Sequence, residues 1–255
     1  MKRIPVFICV AMLLLLSDAI MVFYQTLKEI NTIEAICELE KGKDPLTTPL
    51  MVAIKAGASQ RIINSFIKKT SNINAENANG FNALTTAVIC ATDTSIIETL
   101  IKNGADANYQ NKDKLTPMQI AAKYATNPKV IDNLIKCGAN IEKHATNNQN
   151  LSWPNSNIAV FEGDKDEEYD CYYAPLLIAA RYNKTPIIES ILKNGANPSV
   201  TAEGNNALII ALQYNSDDNV SIFLLNNGFD PNSKENRNSQ HSLDYSSFCK
   251  TALLL

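Results

Sequence analysis

The chain repeats itself, and a fixed internal period of this length decides the architecture before any single residue does. Thr48-Pro49-Leu50-Met51-Val52-Ala53 recurs as Asn82-Ala83-Leu84-Thr85-Thr86-Ala87, then as Thr116-Pro117-Met118-Gln119-Ile120-Ala121. Two further copies are Ala174-Pro175-Leu176-Leu177-Ile178-Ala179 and Asn206-Ala207-Leu208-Ile209-Ile210-Ala211, so the successive spacings are 34, 34, 58 and 32. A second landmark keeps the same phase: Gly104-Ala105-Asp106-Ala107-Asn108, Gly138-Ala139-Asn140, Gly195-Ala196-Asn197 and Gly228-Phe229-Asp230-Pro231-Asn232, with Thr70-Ser71-Asn72-Ile73-Asn74 as a degenerate copy.

Between the two landmarks stand apolar quartets such as Ile62/Ile63/Phe66/Ile67, Ile96/Ile97/Leu100/Ile101 and Ile187/Ile188/Ile191/Leu192. Their i, i+1, i+4, i+5 spacing is one face of a helix. The Thr-Pro-Leu segment ahead of them puts Pro where a helix start tolerates it, followed by alanines that let a neighbouring helix approach closely. Each unit therefore reads as a short helix, a turn, a longer helix and an extended loop.

These segments resemble the ankyrin repeat, whose T-P-L-H-x-A-A and G-A-D-x-N motifs they match over about residues 44–235. The resemblance implies an all-α solenoid of about five repeats plus caps, with short β-hairpin fingers and a general role in binding other proteins. The chain departs from the motif at its His, which is replaced by Met51, Thr85, Gln119, Leu177 and Ile209. The buried hydrogen bonds of that His are therefore in question, and these five positions are expected on an exposed concave surface.

The ends read as caps, which a stack needs because each internal repeat has two apolar faces. Residues 20–43 carry Leu27, Ile30, Ile33, Ile36 and Leu39 near every third position, as in a capping helix, and 236–255 form a C-terminal cap. Lys2 and Arg3, the apolar run Ile4 to Leu16 and the small residues Ser17 and Ala19 have the order of a signal peptide, expected over residues 1–19. An uncleaved membrane anchor is the rival, weakened by Asp18 inside the apolar stretch. The expected location is periplasmic or secreted.

One finger is enlarged. Gly138 and Gly195 are 57 residues apart, so this unit holds about 24 extra residues, an insertion at about residues 143–172. It contains the only tryptophan, Trp153, an acidic run from Glu162 to Asp170, and Cys171, Tyr172 and Tyr173 at its end. Insertions in repeat proteins map to loops on one face, often the binding face. Asp164, Asp166, Glu168 and Asp170 alternate as calcium ligands do, but without the central glycine and distal glutamate of that motif, so they read as a solvated acidic face. Cys137 ends the helix before the insertion and Cys171 closes it, and these are the two cysteines that the architecture brings together as a disulfide.

Aligning the repeats places a residue pair at the end of each first helix: Lys123-Tyr124, Arg181-Tyr182 and Gln213-Tyr214, preceded by Lys55-Ala56 and Ile89-Cys90. Tyr and Arg are enriched among interface hot spots. Trp153, Tyr172, Tyr173, Lys123, Tyr124, Arg181, Tyr182 and Tyr214 are accordingly the expected partner-binding residues, and the partner is another protein.

Other function classes lack raw material. With 23 Lys and Arg against 26 Asp and Glu the chain is mildly acidic, which argues against nucleic acid. Only His144 and His241 are available for imidazole chemistry, and no nucleophile elbow, zinc-protease or phosphate-loop motif occurs. No enzyme activity, metal or cofactor is expected, and the chain is expected to be a monomer that meets a membrane only if its N-terminal segment stays uncleaved. Alternative readings are an envelope inhibitor, such as an immunity protein that neutralises a toxic effector, and a membrane-anchored scaffold.

Overall fold

A capping side chain starts four of the five short first helices, and a proline fixed near helical φ starts the fifth. The computed structural model describes residues 22, 25–38, 44–90, 93–143, 174–202 and 205–231. Residues 25–38 form α1. Five helix pairs follow: α2 (Pro49–Lys55) with α3 (Gln60–Lys69), α4 (Ala83–Cys90) with α5 (Ser95–Lys102), and α6 (Pro117–Tyr124) with α7 (Lys129–Lys136). The last two are α8 (Pro175–Tyr182) with α9 (Thr185–Lys193) and α10 (Ala207–Tyr214) with α11 (Asp218–Asn226).

At the start of α2 the Thr48 hydroxyl accepts from the Met51 N–H at 3.3 Å. At α6, Thr116 and Gln119 exchange two bonds, Gln119 N–H to Thr116 Oγ1 at 3.2 Å and Thr116 N–H to Gln119 Oε1 at 2.9 Å. That reciprocal cap satisfies two amides that a helix start otherwise leaves orphaned. Thr85 does the same at α4, where Asn82 N–H donates to Thr85 Oγ1 at 2.8 Å and Thr85 N–H to Asn82 Oδ1 at 2.9 Å.

This corrects the expectation for the five positions of the missing histidine. Met51, Thr85, Gln119, Leu177 and Ile209 are all buried, none more than 3% exposed, so they do not form a concave binding surface. Side chains in a helix lean back toward its N-terminus, which tucks this position against its own cap. Thr85 and Gln119 thereby supply a cap hydrogen bond, whereas Met51, Leu177 and Ile209 fill the site with apolar volume.

First helices stack on first helices and second helices on second helices, with the first set packed more closely. Ala53, Ala87, Ala121, Ala179 and Ala211, in one register of the first helices, are wholly buried and admit that approach. The stack continues across the insertion, with α8 on α6 and α9 on α7. Hydrogen bonds confirm the register. The Asn108 side-chain amide donates to Gly138 O at 2.9 Å and its carbonyl accepts from Asn140 N–H at 2.7 Å. Glu142, one repeat on from Asn108, accepts from Asn197 N–H at 2.7 Å, and Asp132 of α7 accepts from Ser190 of α9 at 3.0 Å and from Asn194, just past its end, at 2.7 Å.

Four of the second helices end where sequence placed their glycines, and α3 ends instead at Thr70 in extended backbone. Gly104 adopts φ +97°, and the bonds Gly104 N–H to Ile101 O and Ala105 N–H to Leu100 O, both 3.0 Å, turn the chain out of α5. The fingers are smaller than expected. Each described one is a single tight turn, closed by Asn77 N–H to Phe81 O at 2.8 Å or by Asn111 N–H to Leu115 O at 3.1 Å. Among the described residues only Ala202 and Asn205 form an antiparallel bridge. With one paired residue per arm no ladder develops, so these are turns and not strand-paired hairpins.

At the N-terminal end, Ile33 and Cys37 of α1 are buried and Ile30 and Ile36 pack beside them, while Leu27 is exposed. The stripe follows i, i+4 spacing and leaves Leu27 outside it. Glu29 anchors α1 by accepting from the Ser59 N–H and hydroxyl at 2.9 and 3.2 Å. Among the described residues no helix is long and apolar enough to cross a membrane. The expected signal peptide at 1–19 and the C-terminal cap at 236–255 lie outside the described residues.

Asn82 shows the cost of breaking the capping pattern. It is 1% exposed, and its Nδ2 has no hydrogen-bond partner. Thr48 and Thr116 cap the equivalent helices through a hydroxyl, which brings one rotatable O–H and no amide NH2. Asn82→Thr should therefore stabilise the fold by about 1 kcal/mol, the cost of leaving a buried donor unmade. A urea titration with an unchanged or lower midpoint would contradict this account.

Candidate partner-binding face

The first helices end at a common edge, where the seventh and eighth residues after each cap come into line. Close stacking of α6, α8 and α10 brings those pairs within reach of one another. The Lys123 Nζ lies 5.3 Å from the ring centre of its neighbour Tyr124 and 4.3 Å from that of Tyr182, one repeat away. The Arg181 guanidinium carbon lies 5.0 Å from the Tyr182 ring and 4.4 Å from the Tyr214 ring, again one repeat on. Cations and rings thus alternate across three repeats, each cation closer to the ring of the following repeat than to its own neighbour.

A cation over a ring face is attracted by the ring quadrupole, by about 0.5–1 kcal/mol when exposed and about 2 kcal/mol when desolvated. Arg181 is only 9% exposed and sits at the buried end of that range, whereas Tyr214 is 56% exposed. Lys123, Tyr124 and Tyr182 are half-buried. The ladder has two roles at once: its inner members tie the repeats together, and its outer surface is aromatic and cationic.

The same register in the first two repeats carries Lys55, Ala56 and Cys90, all exposed. None of the five first helices contains an Asp or Glu. In a chain of net charge −3 this edge is locally basic, through Lys55, Lys123 and Arg181. Its described side chains supply charged hydrogen-bond donors and aromatic rings, with the Cys90 thiol close enough to Lys55 to feel its charge.

The sequence placed Lys123, Tyr124, Arg181, Tyr182 and Tyr214 in one register, and the structure brings all five together. What alignment missed is the diagonal contact of each cation with the next repeat's tyrosine. The signal lay in the equal offsets, but only the short spacing between α6, α8 and α10 converts it into contact. Trp153, Tyr172 and Tyr173 lie outside the described residues, as do the acidic run and Cys171. Cys137 is a half-buried thiol at the end of α7. Burial first, then the nearby Glu98 carboxylate, raises its pKa above that of an ordinary cysteine. Among the described residues no cluster of three or more metal-ligating side chains occurs. A separate groove of about 380 Å³ lies between α1 and the first repeat, lined by Glu34, Cys37, Phe66 and Lys69 among others.

If Arg181 and Tyr214 are energetically coupled, Arg181→Ala, Tyr214→Ala and the double variant should give a non-additive stability cycle of about 0.5–2 kcal/mol. Additive losses in thermal or urea unfolding would reduce the ladder to mere proximity. No curated protein matches the chain. A family model described as ankyrin repeats (3 copies) matches residues 23–111, 50–145 and 151–235, together well over half of the chain. With two helices per unit, glycines ending four of the five second helices and stacking that runs unbroken past the insertion, the chain belongs to the ankyrin-repeat family.

Proposed function

We propose that the chain works by binding another protein along the edge built from Lys123, Tyr124, Arg181, Tyr182 and Tyr214, with the inserted segment contributing Trp153, Tyr172 and Tyr173. Ankyrin repeats are in general protein-binding modules and typically not catalysts. The observation that carries the reading is the cation–tyrosine ladder. It combines large rigid aromatic area with charged donors, the composition of interface hot spots. Tyr214 is 56% exposed and so offers surface beyond its contact with Arg181.

The reading extends to place and state. The basic and apolar N-terminal segment supports export to the cell envelope, with cleavage before Ile20, and a monomer. In such an oxidising compartment Cys137 and Cys171 pair and fasten the base of the insertion. The single Trp153 and the acidic run beside it favour a second form of the same activity, an inhibitor whose finger enters an effector's cleft.

Footprinting tests the face. In reduced protein, a captured partner should protect exposed Cys90 from alkylation while Cys137, at the end of a second helix, keeps its rate. Tyr214→Ala or deletion of residues 147–168 should weaken the complex by about 2 kcal/mol, a hot-spot loss, with circular dichroism unchanged. Equal alkylation of Cys90 with and without partner, alongside full affinity in both variants, would place binding elsewhere. Mass spectrometry of exported protein without reductant should find a chain beginning near Ile20 and a linked Cys137–Cys171 peptide pair. An intact Met1 in the membrane fraction would favour the anchor instead, and two freely alkylated thiols would remove the bridge.

A further inference from the structure

We infer that the contact between the turn at 77–81 and the turn at 111–115 is a proton-sensitive joint, tight when the Asp113 carboxyl is neutral and looser when it is ionised. The two turns are built alike. The Asn77 side-chain carbonyl accepts from the Asn79 and Phe81 N–H groups at 3.1 and 3.0 Å. That of Asn111 accepts from the Asp113 and Leu115 N–H groups at 3.1 and 2.8 Å. Asn79 and Asp113 thus hold one position of the same turn, as do Gly80 and Lys114, at φ +76° and +64°. A neutral amide serves that position in the earlier turn, so the turn forms without a charge there.

Asp113 carries its charge where charge is costly. The Asn111 side-chain amide donates to Gly80 O at 3.1 Å, the Lys112 N–H to Glu76 at 3.1 Å and the Lys112 ammonium to Ala78 O, which closes the second turn on the first. Inside that contact Asp113 Oδ2 is shut off from solvent and has no hydrogen-bond partner. It packs over Gly80, where an added Cβ would stand 3.2 Å from it. A carboxylate loses far more hydration on such burial than a neutral carboxyl does. Lys112 on its own turn favours ionisation, and Glu76 on the preceding turn, which accepts from the Tyr109 hydroxyl, opposes it. The other charged groups around the two turns are Lys114, Asp44, which accepts from the Ala78 N–H at 3.0 Å, and Lys143, which donates to Asn108 O at 2.7 Å. Burial outweighs Lys112 and raises the Asp113 pKa above the ordinary aspartate value. The folded chain therefore keeps this proton to higher pH than the unfolded one. The joint is strongest below the ordinary value and weakens as pH rises through the raised one.

Carboxyl NMR titration of the full chain should find Asp113 titrating above the ordinary aspartate value of about 3.9. Protection of the Asp113 and Leu115 amides against hydrogen exchange, corrected for the intrinsic effect of pH, should rise severalfold as pH falls from neutral through that midpoint. Asp113→Asn, which installs the residue type already present at Asn79, should give the high protection at every pH. Glu76→Gln should lower the Asp113 midpoint and keep the pH response. An Asp113 midpoint at or below the ordinary value overturns the inference, as does protection that does not change with pH in the unaltered chain. A pH response that survives Asp113→Asn assigns the proton to another group and overturns it too. Loss of protection in Asp113→Asn has the same force, because a neutral side chain at this position is expected to tighten the joint.

Discussion

Close packing of one first helix on the next is the contact on which the rest depends. It is set by alanine. Ala53, Ala87, Ala121, Ala179 and Ala211 are wholly buried at one position of every first helix, and a larger side chain there would hold neighbouring helices apart. Solenoid stability is close to a sum of such nearest-neighbour terms. The ladder is a consequence: with the first helices wider apart, Lys123 would not reach the Tyr182 ring nor Arg181 the Tyr214 ring. A stabilising feature of the core thus positions the aromatic edge.

Polar side chains keep the register that alanine permits. Asn74, Asn108 and Glu142 stand at the same place in three consecutive repeats, and each accepts a backbone N–H from the next. Asn183 and Asn215 do the corresponding work at the first-helix ends. Each donates to two carbonyls of the preceding repeat at 2.8–3.1 Å. Because these groups face loops, where backbone carbonyls lack helical partners, their bonds satisfy atoms that would otherwise be left unmet. The repeat after the insertion uses the same links as the others, which is why about 24 extra residues leave the stacking intact.

Exposure changes along the ladder. Arg181 is nearly buried between Tyr182 and Tyr214, so its substitution disturbs repeat packing. Tyr214 contributes one ring face to Arg181 and presents the remainder of its side chain outward. Lys55, Lys123 and Arg181 make this edge basic in a chain that is acidic overall.

The repeating Pro, Ala and Gly positions determined the helix pairs, their order and the helix ends, because these are local demands: a proline at a helix start, a small residue at a helix contact, a glycine at φ +97°. The register of Lys123, Tyr124, Arg181, Tyr182 and Tyr214 was legible for the same reason. Tertiary structure alone decided what those offsets mean. Met51, Thr85, Gln119, Leu177 and Ile209 share a register just as regular, yet are buried, because the lean of helical side chains turns them to their own caps. Leu27 continues the spacing of Ile30, Ile33 and Ile36 and is nevertheless exposed, since α1 buries the stripe from Ile33 to Cys37 against the first repeat. Periodicity identifies a face, but which face meets a neighbour depends on the distance and angle at which helices pack. Those are properties of the assembled stack and not of any one repeat.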